Sequence, residues 1–153
     1  MVRAAVAVLA LVGLGAGLAA AQSGDALVPE DWVPLPRLAA AVPASGVVKT
    51  RQAHGDPSRG VYLFVQEIEL ARGIETSALA QEVGKALATK GFELRGQGPQ
   101  GGQFSLGKTT GGFRIKPGQQ GHARVVTCFY NERDLERSKK ACADALERSE
   151  KTP

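Results

Sequence analysis

Between residues 92 and 130 the chain consists of short runs in which apolar and polar residues alternate, and glycine-rich turns separate these runs. Alternation is the pattern of a β-strand with one buried face. Close turns between such strands are typical of antiparallel hairpins. The pattern therefore predicts four short strands, whose apolar residues are Phe92 and Leu94, Phe104 and Leu106, Phe113 and Ile115, and alternate members of residues 122–130.

The preceding and following segments predict two more strands and two helices. Residues 46–53 and 61–70 alternate like strands, and the second run is apolar on both faces in its first half, which predicts an interior strand. Residues 76–90 carry Leu or Val every four positions and end at Gly91, so they predict a helix. Residues 131–149 predict a second helix, with an apolar stripe of Leu135, Cys142 and Leu146. The order β-β-α-β-β-β-β-α predicts an α+β fold, a small antiparallel sheet with two helices packed on one side.

The first 21 residues have the composition of a secretory leader. Arg3 gives a positive start, residues 4–21 contain no polar side chain, and Ala19, Ala20 and Ala21 precede an abruptly polar segment. This pattern predicts a cleaved signal peptide over residues 1–21. A retained membrane anchor is the alternative, because 18 apolar residues barely span a bilayer. We expect an exported protein, in the periplasm or the extracellular medium, with no integral membrane association after cleavage.

The chain contains two cysteines, Cys128 and Cys142. An even number of cysteines in an exported chain predicts a disulfide. Cys142 lies on the apolar stripe of the last predicted helix, so it faces the core, where a strand residue such as Cys128 can meet it. No Cys-x-x-Cys motif is present, so a structural role is expected rather than thiol oxidoreductase activity.

Residues 22–45 contain four prolines, at positions 29, 34, 36 and 43. Proline interrupts both helices and paired strands, so this Pro/Ala-rich segment predicts an extended arm without a long helix or a paired strand. We expect Trp32 to pin the arm onto the domain that follows. That domain is predicted to comprise residues 46–150.

Residues 102–109 match G-x4-G-K-T, the pattern of a phosphate-binding loop. That chemistry needs a strand before the loop and a helix after it, because the loop amides and the helix N-terminus together hold the phosphate. Here the variable positions alternate like a strand, and another turn and strand follow. We therefore expect a glycine-rich hairpin, no bound nucleotide and no other cofactor.

One long segment of the chain is free of acidic residues. Residues 94–131 contain no Asp or Glu, although the whole chain contains 15 of them and has a formal charge of only +4. A basic hairpin surface of this kind predicts binding of a polyanion, with Lys108 placed beside Arg114 across a turn at residues 109–112. The alternative is a solvated sheet face whose charges only keep the edges soluble. The candidate contacts are Arg95, Lys108, Arg114, Lys116 and Arg124.

Other chemistry-bearing residues are few. His54, Asp56 and Ser58 share a loop, and Glu67 and Glu69 lie on one face of a strand, about 7 Å apart. Either set suggests a small hydrolase. A metal site is not expected, because the chain has only two histidines and the disulfide uses both cysteines.

Taken together, these patterns favour an exported, non-enzymatic envelope or extracellular module. The expected partner is a protein or an anionic cell-envelope polymer. The alternative is a small exported hydrolase that uses His54 and Asp56, or Glu67 and Glu69.

Overall fold

Residues 27–36 and 45–152 are described by the structure, a computed structural model. The predicted signal peptide lies outside the described residues, as do residues 22–26 and 37–44 of the predicted arm. The described residues form an antiparallel sheet, two helices and a short 3₁₀ turn at Glu132–Asp134, which lies between the last strand and the last helix. The elements are β1 (Val33–Pro34), β2 (Gly46–Asp56), β3 (Val61–Leu70), α1 (Thr76–Thr89), β4 (Glu93–Gly98), β5 (Gly101–Leu106), β6 (Thr109–Pro117), β7 (His122–Tyr130) and α2 (Leu135–Lys151).

The strands lie in the order β1-β2-β3-β7-β6-β5-β4, and every neighbouring pair is antiparallel. β3 is an interior strand, as its apolar first half predicts. β4 to β7 follow one another in space as they do in sequence, because three successive hairpin turns join them. The α+β class and the antiparallel sheet are therefore confirmed.

The two helices pack against opposite faces of the sheet, whereas the order of the elements in the sequence predicts both helices on one side. Cys142 and Ala145 of α2 lie in one core cluster with Leu63 and Cys128. Leu79 and Ala80 of α1 lie in a second cluster with Ile68, Phe113 and Val125. Successive strand residues point to opposite faces. Because β3 and β7 carry apolar side chains on both faces, both faces need a cover. We call these the α2 face and the α1 face.

α2 contacts the sheet mainly through small side chains. Its buried residues are Ser138, Cys142, Ala145 and Ser149. Leu135, expected on the apolar stripe, is the first residue of the helix and is 44% exposed. A Cβ at Gly112 of β6 would lie 3.1 Å from Cδ1 of Leu146, so the helix approaches that strand closely. The Cys128–Cys142 disulfide is present and joins α2 to the middle of the sheet.

The arm is part of the core. Trp32 and Leu27 are buried in the α2-face cluster, which confirms that the tryptophan pins the arm to the sheet. The arm also pairs briefly with the sheet, contrary to the expectation of no paired strand, since Val33 lies opposite Gly55 and Pro34 opposite His54. Proline is compatible with this position because β1 is an edge strand.

Candidate functional site

Four of the five candidate cations lie on the same face of the sheet. Lys116 is the cross-strand partner of Arg124, and Arg114 lies two residues before Lys116 on the same strand. Arg95 on β4 pairs with Gln103 on β5, and Gln103 pairs with Gly112 on β6. Gly112 lies two residues before Arg114 on the same strand. Cross-strand partners and residues two apart share a face. We call this set the basic face: Arg95, Arg114, Lys116 and Arg124, all on the α2 face.

Two residues of the basic face contact the C-terminal end of α2. Nε of Arg114 lies 3.1 Å from Oε1 of Glu150. Nζ of Lys116 donates to the backbone oxygens of Glu150, at 3.3 Å, and of Thr152. The last carbonyls of a helix lack intrahelical partners and carry partial negative charge, so these cations stabilise the end of α2. They are therefore structural groups as well as candidate ligand contacts.

The other two cations differ in exposure. Nε of Arg124 lies 2.5 Å from Oε1 of Glu67 on β3, and the Arg124 side chain is only 16% exposed. The Arg95 side chain is 74% exposed, and its contact with Glu93 is long, at 3.9 Å. Arg95 is thus the member of the basic face most accessible to a ligand.

Lys108 lies apart from the basic face. The turn that joins β5 to β6 consists of Gly107 and Lys108, and residues 109–112 already belong to β6. Lys108 is therefore about 20 Å along the strand from Arg114, at about 3.3 Å per residue. The expected placement of Lys108 beside Arg114 is wrong because the turn is shorter than predicted. Its Nζ lies 3.9 Å from Oε2 of Glu132. The G-x4-G-K-T segment forms a strand, a turn and the start of a second strand, as predicted.

Two of the acidic residues that contact the basic face are not evident from the sequence pattern. Glu67 and Glu150 lie outside the acid-free segment and reach the basic face through strand pairing and helix packing. The available signal is the alternation of β3, which places Glu67 on the same face as Val65, and so on the α2 face. The ion pair between Glu150 and Arg114 depends on the helix packing, which the pattern does not give.

Asp56 and Ser58 form a turn at the end of the β2–β3 hairpin. Oγ of Ser58 donates to Oδ1 of Asp56 at 2.5 Å, and the Ser58 backbone N–H donates to the same oxygen at 3.0 Å. In a catalytic triad the imidazole stands between the carboxylate and the hydroxyl. Here the hydroxyl bonds directly to the carboxylate. The arrangement stabilises a turn and does not activate Ser58 as a nucleophile.

The hydrogen bond from Ser58 is the main cause that holds the pKa of Asp56 below its ordinary value, and the Arg59 charge contributes less. We expect Ser58→Ala to raise this pKa towards the ordinary value, and Arg59→Ala to raise it less. Because the folded-state pKa is lowered, the stabilisation is present above the ordinary carboxyl pKa and is lost as the pH falls through the lowered value. Carboxyl-carbon NMR titration of the two variants measures this. A larger shift in Arg59→Ala would contradict the assignment.

Glu67 and Glu69 are each paired with a different cation. Glu67 contacts Arg124, and Oε2 of Glu69 lies 2.5 Å from Nζ of Lys49. The hydrogen bond from Lys49, followed by its charge, lowers the pKa of Glu69. A general acid in glycoside hydrolysis needs a raised pKa. The lowered pKa of Glu69 is the opposite of what a general acid needs, and each carboxylate is held by its own cation.

Within residues 27–36 and 45–152, no three His, Cys, Asp or Glu side chains gather as metal ligands would. No helix in the same ranges has the length and apolar character needed to cross a membrane.

Comparisons with known proteins add little. No protein-family model matches the sequence. No curated protein matches it either. Among solved structures, the chain is similar to the crystal structure of LpqN involved in cell envelope biogenesis of Mycobacterium tuberculosis, with 17% identity, a TM-score of 0.41 and coverage of 78% of each chain. A likeness this weak supports no statement about the function of this chain.

Proposed function

We propose that this chain is an exported, non-enzymatic module of the cell envelope or extracellular space that binds an anionic polymer. The observation that carries the proposal is the basic face, since four cations of the acid-free segment lie together on one side of β4 to β7. Export is supported by the leader pattern and by the buried Cys128–Cys142 disulfide, because disulfides persist mainly in oxidising compartments.

A binding role is favoured over catalysis by how the candidate catalytic groups are used. Asp56 bonds to Ser58 in a turn, and Glu67 and Glu69 are held in separate ion pairs. General acid–base catalysis needs a group that can exchange a proton near the working pH. Among the carboxyl groups in the described ranges, Asp56 and Glu69 each have a pKa below the ordinary value, which favours the ionised form.

The spacing of the basic face suits a polymer with regularly repeated negative charges. Arg114 and Lys116 are two residues apart on one strand, about 7 Å from each other, which is close to the spacing of successive phosphates in an extended chain. A polyanion must share these cations with Glu150, as it must share Arg124 with Glu67. Binding should therefore be weak at moderate salt and steeply dependent on salt.

Binding of residues 22–153 to single-stranded DNA, used as a probe polyanion, tests this proposal. Four contacts predict a log–log salt slope of about −3, at about −0.7 per contact. Arg95→Glu should flatten the slope by about one unit and leave stability within about 0.5 kcal/mol, because Arg95 is exposed. The matched control is Lys85→Glu, an equal change of charge at an exposed position of α1, the helix on the opposite face.

Two outcomes would contradict the proposal. One is no binding at low salt, which would favour a protein partner. The other is an equal loss of affinity in Arg95→Glu and Lys85→Glu, which would mean that net charge alone attracts the polymer. Lys108→Glu is a second control. Lys108 lies in the turn before β6 and outside the basic face, so reversal of its charge should weaken polymer binding less than Arg95→Glu does.

A further inference from the structure

β4 is the last strand of the sheet, and it pairs with β5 alone among the described strands. Its first residues, Glu93 and Arg95, are 77% and 74% exposed and point to the α2 face. Leu94, between them, points to the opposite face and packs against the α1-face cluster. An exposed edge strand presents unpaired backbone groups that another strand can complete. The charges on this edge decide which strand fits it.

The charge pattern of β4 is complementary to itself. If two copies of β4 pair antiparallel about a two-fold axis at Leu94, Glu93 of each copy lies opposite Arg95 of the other. A two-fold axis at Glu93 would instead place two glutamates opposite each other, and an axis at Arg95 would oppose two arginines. Opposite charges in cross-strand pairs are stabilising and like charges are destabilising. Matching of the two sheet faces requires the axis to fall on a residue, so Leu94 is the favoured centre.

We propose that β4 is a homodimer interface, where the β4 strands of two copies pair antiparallel about Leu94 and join the two sheets into one. This inference goes beyond the proposed polymer binding. A two-fold axis makes the interface closed, so it gives a dimer and not a fibre. The register of β4 on β5 shifts after Arg95, and Gly96 has a φ of 57°, so the flat part of the edge is short. The association should accordingly be weak and visible only at high protein concentration.

The opposite edge of the sheet lacks this complementarity. The exposed part of β2 carries the like charges Lys49 and Arg51, its register on β3 shifts between Val48 and Thr50, and β1 pairs with its far end. Charge, bulges and a covering strand are the devices that protect an edge from pairing. Of the two edges, β4 is therefore the one suited to a second copy.

Charge reversal at β4 gives a direct test by sedimentation velocity over a range of protein concentrations. Glu93→Arg opposes cations to cations across the interface, and Arg95→Glu opposes anions to anions. Each variant alone should raise the dimer dissociation constant by about tenfold or more. An equimolar mixture of the two should recover dimerisation, because every cross-strand pair in a mixed dimer is again of opposite charge. Arg51→Glu, at the other edge, is the matched control and should dimerise like the unmodified protein.

Recovery in the mixture supports the β4 interface, since no general effect of net charge restores association in this way. A protein that stays monomeric at millimolar concentration overturns the proposal. So does association that both single variants leave unchanged, or that only Arg51→Glu weakens. Glu93→Arg also separates this proposal from polymer binding. It adds a cation beside the basic face, so it should strengthen binding to single-stranded DNA although it weakens the dimer.

Discussion

Cys128→Ala combined with Cys142→Ala is expected to lower the free energy of unfolding by about 3 kcal/mol, since the bond closes a loop of about 15 residues. The cysteines are 14 residues apart in sequence, and both are buried. The interface that the bond closes consists largely of small residues of α2, so little apolar area is present to compensate. Urea denaturation of the oxidised protein and of the double variant measures the difference.

The effect of reductant is the internal control. Reduction should shift the urea midpoint of the unmodified protein towards that of the double variant and should leave the variant itself unchanged. Because the loop is closed in the unfolded state as well, the slope of the transition should also differ between the oxidised and reduced proteins. Two titratable thiols in the denatured, unreduced chain would contradict the bond itself.

Local patterns predict the helices and most strands of the fold, because each such element depends on neighbouring residues. α1 spans Thr76–Thr89, against a predicted 76–90, and Gly91 after it has the positive φ of 90° expected at a helix end. The placement of the helices depends instead on which strand face each one covers. The apolar residues on both faces of β7 indicate that both faces are covered, as with Cys128 on one side and Phe129 on the other. Helical periodicity alone does not choose between the faces.

The candidate site shows the same division between local and long-range information. Residues 94–131 fold as consecutive hairpins, so strand alternation within them brings Arg95, Arg114, Lys116 and Arg124 to one face. Lys108 departs from this set because the length of a turn between glycine-rich strands is poorly defined by sequence. The counter-charges Glu67 and Glu150 come from β3 and α2, and only tertiary pairing places them beside the cations.

Trp32→Ala is expected to lower the free energy of unfolding by about 3 kcal/mol, near the lower end of the range for removing a buried aromatic side chain. Trp32 is 7% exposed and packs in the α2-face cluster with Leu63, although it belongs to the proline-rich arm. The matched control is Val33→Ala, since Val33 is the next residue and is 49% exposed, and its loss should cost about 0.5 kcal/mol or less. Both are measured by urea denaturation, with limited proteolysis of the arm as a second readout. Equal stabilities for the two variants would mean that the arm contributes nothing to the folded core. A large effect in Trp32→Ala alone, with faster cleavage of the arm, would show that the domain depends on residues before β2.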